Sequence, residues 1–256
     1  MAGDVFTAYG TMVLAPFSHH RFAIPFAFII DPYFTAIIGV GLAAAMLKRR
    51  ERSPAIVALV ILGCYVGFQG VLHFQAIKIG EGYVSAHELK DRLGETDVQV
   101  YAIPQPLSPF NWKIIVSHGD DYYMASVNLL RAQELKPPDP ASGTLGILDM
   151  WRRIGSGYLP VSAASWVHYE KFGKTEFEKA LAREAWRQEA FSRFRRFAVF
   201  PVLDQIEHAG NGVCVSFLDL RFTVPSLPPS LVFGLCRDSV GNTWQLDEKR
   251  GAFGID

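Results

Sequence analysis

The chain is 256 residues long and half hydrophobic, with 25 basic and 25 acidic residues and no formal net charge. That length suits one or two domains. The balanced charge argues against nucleic acid as a partner, a role that usually leaves a basic excess.

Residues 1–21 are dense in small, polar and aromatic side chains and show no regular period. A cleavable signal peptide is not visible, because Met1–Ser18 lacks a basic start and its early charge is Asp4. Phe22–Ile30 is apolar, and Asp31-Pro32 then interrupts it. Proline favours the first turn of a helix, and aspartate before it favours the N-cap. A first membrane helix is therefore expected at about 32–48. Its apolar run, Tyr33–Leu47, is short for a span, which takes about 20 residues. Sharing the bilayer with Phe22–Ile30 would make up the length.

Lys48-Arg49-Arg50-Glu51-Arg52 forms a basic turn, and Ser53-Pro54 opens a second apolar segment. A second membrane helix is expected at about 54–77. Ala55–Phe68 is unbroken apolar sequence; Gln69 and His73 follow at i, i+4 spacing and share a face. They either line a polar cavity or mark the helix leaving the hydrocarbon. Two apolar segments with no polar face argue against a buried helical pair in a soluble protein. Four Lys/Arg residues in one short loop place that loop in the cytoplasm. The rest of the chain is then expected on the outer side of a multi-pass protein of the bacterial inner (plasma) membrane.

The expected fold is an α-helical transmembrane hairpin (1–79) followed by a soluble α+β domain with a mainly antiparallel sheet (80–256). Ser85–Leu93 reads as a short helix with Ser85 and Glu88 as a capping box. Val98–Ile103, Trp112–Ser117 and Tyr122–Val127 read as strands, the last two as a hairpin around His118-Gly119-Asp120-Asp121. Leu145–Ile154 and Trp166–Phe172 read as short helices. Thr175–Phe197 reads as one long helix capped by Thr175 and Glu178. Its Trp186, Phe191, Phe194 and Phe197 sit among arginines, either as a core face or as a stripe lying on lipid headgroups. Gly212–Thr223, Leu231–Cys236 and Thr243–Leu246 read as further strands, with Asp219 and Arg221 as an exposed ion pair.

No CxxC pair is present, so a thiolate zinc site is not expected. Cys64 reads as a small buried hydrophobe. Cys214 and Cys236 read as buried free thiols, or as a pair if their compartment is oxidising. Glycine-loop, HExxH, GxSxG and kinase signatures are missing. His19 and His20 are adjacent, and neighbours on a regular element point apart. Asp4 is less easily explained: a carboxylate at the mouth of a membrane segment is costly unless paired, hydrated or bound to a metal. Asp31 has a simpler explanation as a helix cap.

The stretch Asp4–Ser18, then His20–Ala23, then Phe28-Ile29-Ile30-Asp31-Pro32 resembles the bacterial membrane-bound metal-dependent hydrolases, also described as LexA-binding, inner-membrane-associated hydrolases. Pro104, Pro106, Ser108–Trp112 and Asp219-Leu220-Arg221-Phe222 resemble later segments of the longer members. The resemblance implies a divalent metal ion, with zinc one candidate, and Asp4 as a ligand. His19, His20 and Asp31 are the candidates for supporting it, and the catalytic residues stay unassigned. The family carries a histidine four residues before the aspartate matched by Asp4, and further helices before that. The chain therefore reads as N-terminally truncated relative to the family. Two functions follow: a metal-dependent hydrolase acting on a lipid or envelope component, or a non-catalytic membrane-anchored module that binds a protein partner. The bilayer itself is the partner common to both.

Overall fold

The computed structural model describes residues 31–48, 51–89, 98–138, 146–209, 212–238 and 243–247. By Cα proximity the chain divides into two compact units. One comprises 1–116 and 125–165; the other comprises 117–124 and 166–256.

The first unit begins with α1 (Pro32–Leu47) and α2 (Ser53–Ala86). No described residue between Pro32 and Leu47 is buried, although the segment is apolar all round. Such a helix suits lipid rather than water. The two helices run antiparallel: Gly41 approaches Ala58 so closely that a Cβ on Gly41 would overlap the alanine Cβ. A small residue is what lets two apolar helices meet there. Among the described residues, only α2 is long and apolar enough to cross a membrane. Helix α1, with 16 residues, is shorter than a full span.

Helix α2 continues past residue 77, where the polar side chains had suggested an end, and stops at Ala86. Ser85 is thus in its last turn, its hydroxyl donating to the Glu81 carbonyl, and Glu88 follows with φ +49°. The expected capping box there does not form. The helix persists because Leu72, Ala76, Gly80 and Val84 repeat every four residues and are buried in one stripe. A Cβ on Gly80 would overlap Val100 and lie 2.9 Å from Ile114 Cγ2, so glycine sets how closely the sheet packs on this helix.

That sheet holds β1 (Val98–Pro104), β2 (Asn111–His118), β3 (Asp121–Asn128) and β4 (Leu159–Pro160), in that order. Trp112, Ile114, Ile115 and Val116 are buried, so β2 is covered on both faces. Helix α3 (Ile147–Ser156) precedes β4, which pairs in parallel with the end of β3.

In the second unit, the start of β3 pairs antiparallel with β5 (Val167–Glu170). Residues 166–172, expected as helix, are this strand and its flanks. Val167-His168-Tyr169-Glu170 carries β-branched and aromatic side chains that favour pairing. Helix α4 (Glu176–Arg187) starts with the expected capping box of Thr175 and Glu178. It does not run on to Phe197: Gln188 is extended, residues 189–191 form a 3-10 turn, and α5 (Ser192–Phe197) begins a new direction. The break lets Phe191 and Phe194 both enter the core with Leu181, Ala185 and Phe217. Arg195 holds it by donating to the Trp186 and Gln188 carbonyls. These rings therefore form a core rather than a stripe on headgroups.

Strands β6 (Pro201–Ala209), β7 (Gly212–Asp219), β8 (Val232–Asp238) and β9 (Trp244–Leu246) form an antiparallel sheet in chain order. The register sets Cys214 opposite Cys236, and the two form a disulfide. Cys64 is exposed on α2 rather than buried. Residues 220–222 leave the sheet as a 3-10 turn.

Candidate functional site

Asp31 is the one sequence-proposed site residue within the described chain. Its Oδ1 accepts from the backbone N–H groups of Tyr33 and Phe34 at 2.9 and 3.0 Å, capping α1. Two orphan donors and the positive end of the helix dipole stabilise the carboxylate there. Its Oδ2 accepts from the Tyr65 hydroxyl on α2 at 2.6 Å. The Gln69 amide Nε2 donates to the same hydroxyl oxygen at 3.0 Å. Asp31, Tyr65 and Gln69 thus join the start of α1 to the middle of α2.

The direction of each bond follows from the donors available. Tyr65 spends its proton on the carboxylate, so Gln69 must present its NH2 group to the phenol oxygen. The amide oxygen then points elsewhere, and Gln69 Oε1, buried, has no partner among the described residues. Gln69 and Asp31 line a small cavity of about 10 Å³, together with the loop Pro104–Pro109. A volume of that size is at the lower limit for one water molecule. Gln69 therefore lines a small polar cavity at the level where the unbroken apolar run of α2 ends. His73 has a different setting, its ring meeting the edge of Trp112 with centroids 5.7 Å apart.

The loop is itself held by polar bonds. Asn111 Nδ2 donates to the Pro106 carbonyl, and Trp112 Nε1 to that of Pro109. The Tyr158 hydroxyl donates to Gln105 Oε1 at 3.2 Å, and burial pushes the phenol's pKa up. All of these groups belong to the first unit.

A divalent ion needs carboxylate oxygens with open coordination positions. Asp31 does not fit that need: both its oxygens accept hydrogen bonds from the protein, three in all. Asp4, His19 and His20 lie outside the described residues.

The second unit brings together one group that the sequence did not suggest. The β3–β5 register sets Asp121 opposite Glu170 and Tyr123 opposite His168. One potential ligand atom from each of Asp121, His168 and Glu170 lies within 4.8 Å of the others. The carboxylates already have protein partners, however. His168 Nε2 is 2.8 Å from Asp121, and Lys179 Nζ is 3.2 Å from Glu170. The cluster is satisfied by a cross-strand hydrogen bond between His168 and Asp121 and by an ion pair from Lys179 on α4 to Glu170. Only knowledge of the β3–β5 pairing could have found it.

Asp219 and Arg221, expected as an exposed pair, are buried, with side-chain exposures of 0% and 1%. The guanidinium donates to Asp219 Oδ2 through Nε and Nη2 and to the Phe197 carbonyl. The backbone N–H groups of Val199 and Arg221 complete the carboxylate's shell. Arg221 also lies over the rings of Phe197 and Phe222. Both carboxylate oxygens and the Nε and Nη2 groups of Arg221 are used in structure, so the pair acts as a folding element.

These features describe a membrane protein: an apolar helical region with one helix long enough to cross, then a mainly antiparallel sheet region. Residues 1–76 match the YdjM inner membrane protein family, and over that stretch the chain is similar to bacterial inner-membrane proteins. No curated protein and no solved structure matches the chain.

Proposed function

We propose that the chain is a membrane-bound, metal-dependent hydrolase of the inner membrane. Its reaction centre would be formed by the N-terminal membrane region, and its substrate would be a lipid or an envelope component. The family match over residues 1–76 supports the inner-membrane location only, and the hydrolytic reading rests on the resemblance of Asp4–Ser18, His20–Ala23 and Phe28–Pro32. The resemblance supplies the metal and the hydrolytic class. Asp31 contributes by fixing the geometry of the helices rather than by binding the ion. Metal content of the full chain purified in detergent, with and without Asp4→Ala, tests the reading. A stoichiometric divalent ion lost in the variant supports it, and no bound ion in the parent chain overturns it.

The reading includes a two-span topology with the sheet units on the outer side of the membrane. Two separate observations favour that side. The basic turn Lys48–Arg52 favours the cytoplasm. The Cys214–Cys236 disulfide suits an oxidising compartment. Alkylation of cells with a thiol reagent before lysis tests the second point: blocked Cys214 and Cys236 would count against an outer location.

The alternative is a non-catalytic membrane-anchored module that binds a protein partner. It is favoured by the complete engagement of the Asp31 carboxylate in joining α1 to α2. It expects no metal and tolerance of Asp4→Ala.

A further inference from the structure

We propose that one end of the first unit lies on the bilayer itself, through the apolar face of α3 and the chain that follows β3. The argument starts from the contacts along α2. The unbroken apolar run of α2 ends at Phe68. About 20 residues cross the hydrocarbon, so a span starting at Ser53 reaches the interface near Leu72. Phe68 meets Phe110 edge to face with centroids 5.8 Å apart, His73 meets Trp112, and Gly80 meets Ile114. Strand β2 therefore starts at the level of the interface and runs away from it.

The same end of the sheet carries the end of β3, since the Leu129 N–H donates to the Phe110 carbonyl at 2.9 Å. Leu130 follows at once and is 70% exposed. Asn128 fixes this turn by accepting from the N–H groups of Leu130 and Arg131. Arg131 then donates to the carbonyls of Gly155 and Tyr158 at 2.8 and 2.6 Å, tying the C-terminal end of α3 to the same place. Leu135 lies beside Gly155.

Helix α3 is strongly amphipathic, but its apolar arc is covered only in part. Ile154 is buried, whereas Leu148 and Trp151, one turn apart, are 72% and 45% exposed. Arg152 and Arg153 follow on its polar flank. An exposed apolar face with tryptophan and flanking arginines has the composition of an interfacial helix. Its position at the membrane end of the sheet identifies the occupant as the interface of the bilayer that α2 crosses. Apolar side chains enter the headgroup boundary, and the arginines meet anionic headgroups.

The experiment uses the full chain with Cys64→Ala, reconstituted in phosphatidylethanolamine–phosphatidylglycerol vesicles. Nitroxide labels are placed through Leu148→Cys, Leu130→Cys or, as a water-facing control on α2, Glu81→Cys. Both leucines are exposed, so the substitutions leave the core intact. The expected result is an oxygen-to-nickel-chelate collision ratio several-fold higher at positions 148 and 130 than at 81. Equal access of the nickel chelate at all three positions would overturn the proposal. Exclusion of both reagents at 148 would overturn it too, by showing a protein contact such as a second copy. The outcome does not depend on metal binding or hydrolysis.

Discussion

The two units each bury a carboxylate, and they neutralise it differently. Asp31 of the first unit has only neutral partners: two helix N–H groups and a tyrosine hydroxyl. Asp219 of the second is paired with Arg221, which is itself bound to a carbonyl. An arginine brought to the start of the apolar helix α1 would add a second charge to desolvate. A helix N-terminus and a phenol stabilise the anion without that cost. In the second unit the counter-charge is available, and the pair bridges the ends of α5 and β7. The lesson is that one unit relies on dipoles aimed by helix geometry and the other on a matched ion pair, so they should fail differently when a partner is removed.

The largest effect is expected from Asp219→Ala. It leaves the Arg221 guanidinium buried without its anion, a change that typically costs about 3–5 kcal/mol. Replacing both residues by apolar ones of similar size should restore much of the loss. Peptide-resolved hydrogen exchange of the full chain checks this, with lost protection expected in 197–222 and none in α1. Loss of protection in both units alike would show that they do not fold separately.

Reduction of the Cys214–Cys236 disulfide comes next. It closes a 22-residue separation across β7 and β8. Chain-entropy reasoning gives about 3 kcal/mol for a loop of that order. The same exchange measurement, with and without reductant, should show faster exchange in β7–β9 and none in α2. An unchanged β7–β9 would mean that the aromatic core alone sustains the sheet.

The first unit should respond more to its helix contact. Asp31→Ala removes the cap and strips the acceptor from Tyr65, for a combined cost of about 1–3 kcal/mol. Gly41→Leu forces a side chain into the space held by Ala58, and overpacking of this kind costs about 1–3 kcal/mol. Thermal inactivation of detergent-solubilised chain, followed by protease access to the 48–52 turn, should report both. Asp31→Asn should be milder, since it keeps the oxygen that caps α1.

Much of this was legible in the sequence, and the misses share a cause. Asp31-Pro32 as cap and first turn, the Thr175–Glu178 box and the β2–β3 hairpin are local patterns, and the structure has them. The alternation that would mark β6 is blurred by Asp204, Gln205, Glu207 and His208. The break at Gln188 carries no proline or glycine; it is imposed by the positions Phe191 and Phe194 take in the core. Residues 166–172 became a strand because β3 offered an edge. The Asp31–Tyr65–Gln69 cluster depends on two helices meeting, the first pair being 34 positions apart in sequence. Asp31 was recognisable as a cap; its second oxygen's partner was not. The burial of Asp219 and Arg221 likewise depends on Phe197 and Val199 folding back over them.

The smallest expected effect sharpens the comparison, because it concerns an exposed carboxylate using the same donors as Asp31. Glu178 accepts from the backbone N–H groups of Thr175 and Lys174 at 2.9 and 2.8 Å, and these bonds hold its carboxyl below the usual range. A carboxyl with a depressed folded-state pKa stabilises the fold above its unfolded pKa. That contribution is lost as the pH falls through the folded value. The second unit should therefore lose a little stability in acid that Glu178→Gln does not lose, since glutamine does not titrate. Thr175→Ala should cost about 1 kcal/mol at neutral pH by removing the reciprocal bond. Melting of the parent and Glu178→Gln chains across the carboxylate range checks the sign. Parallel curves would show that solvent screening at the exposed surface cancels what these two N–H bonds contribute.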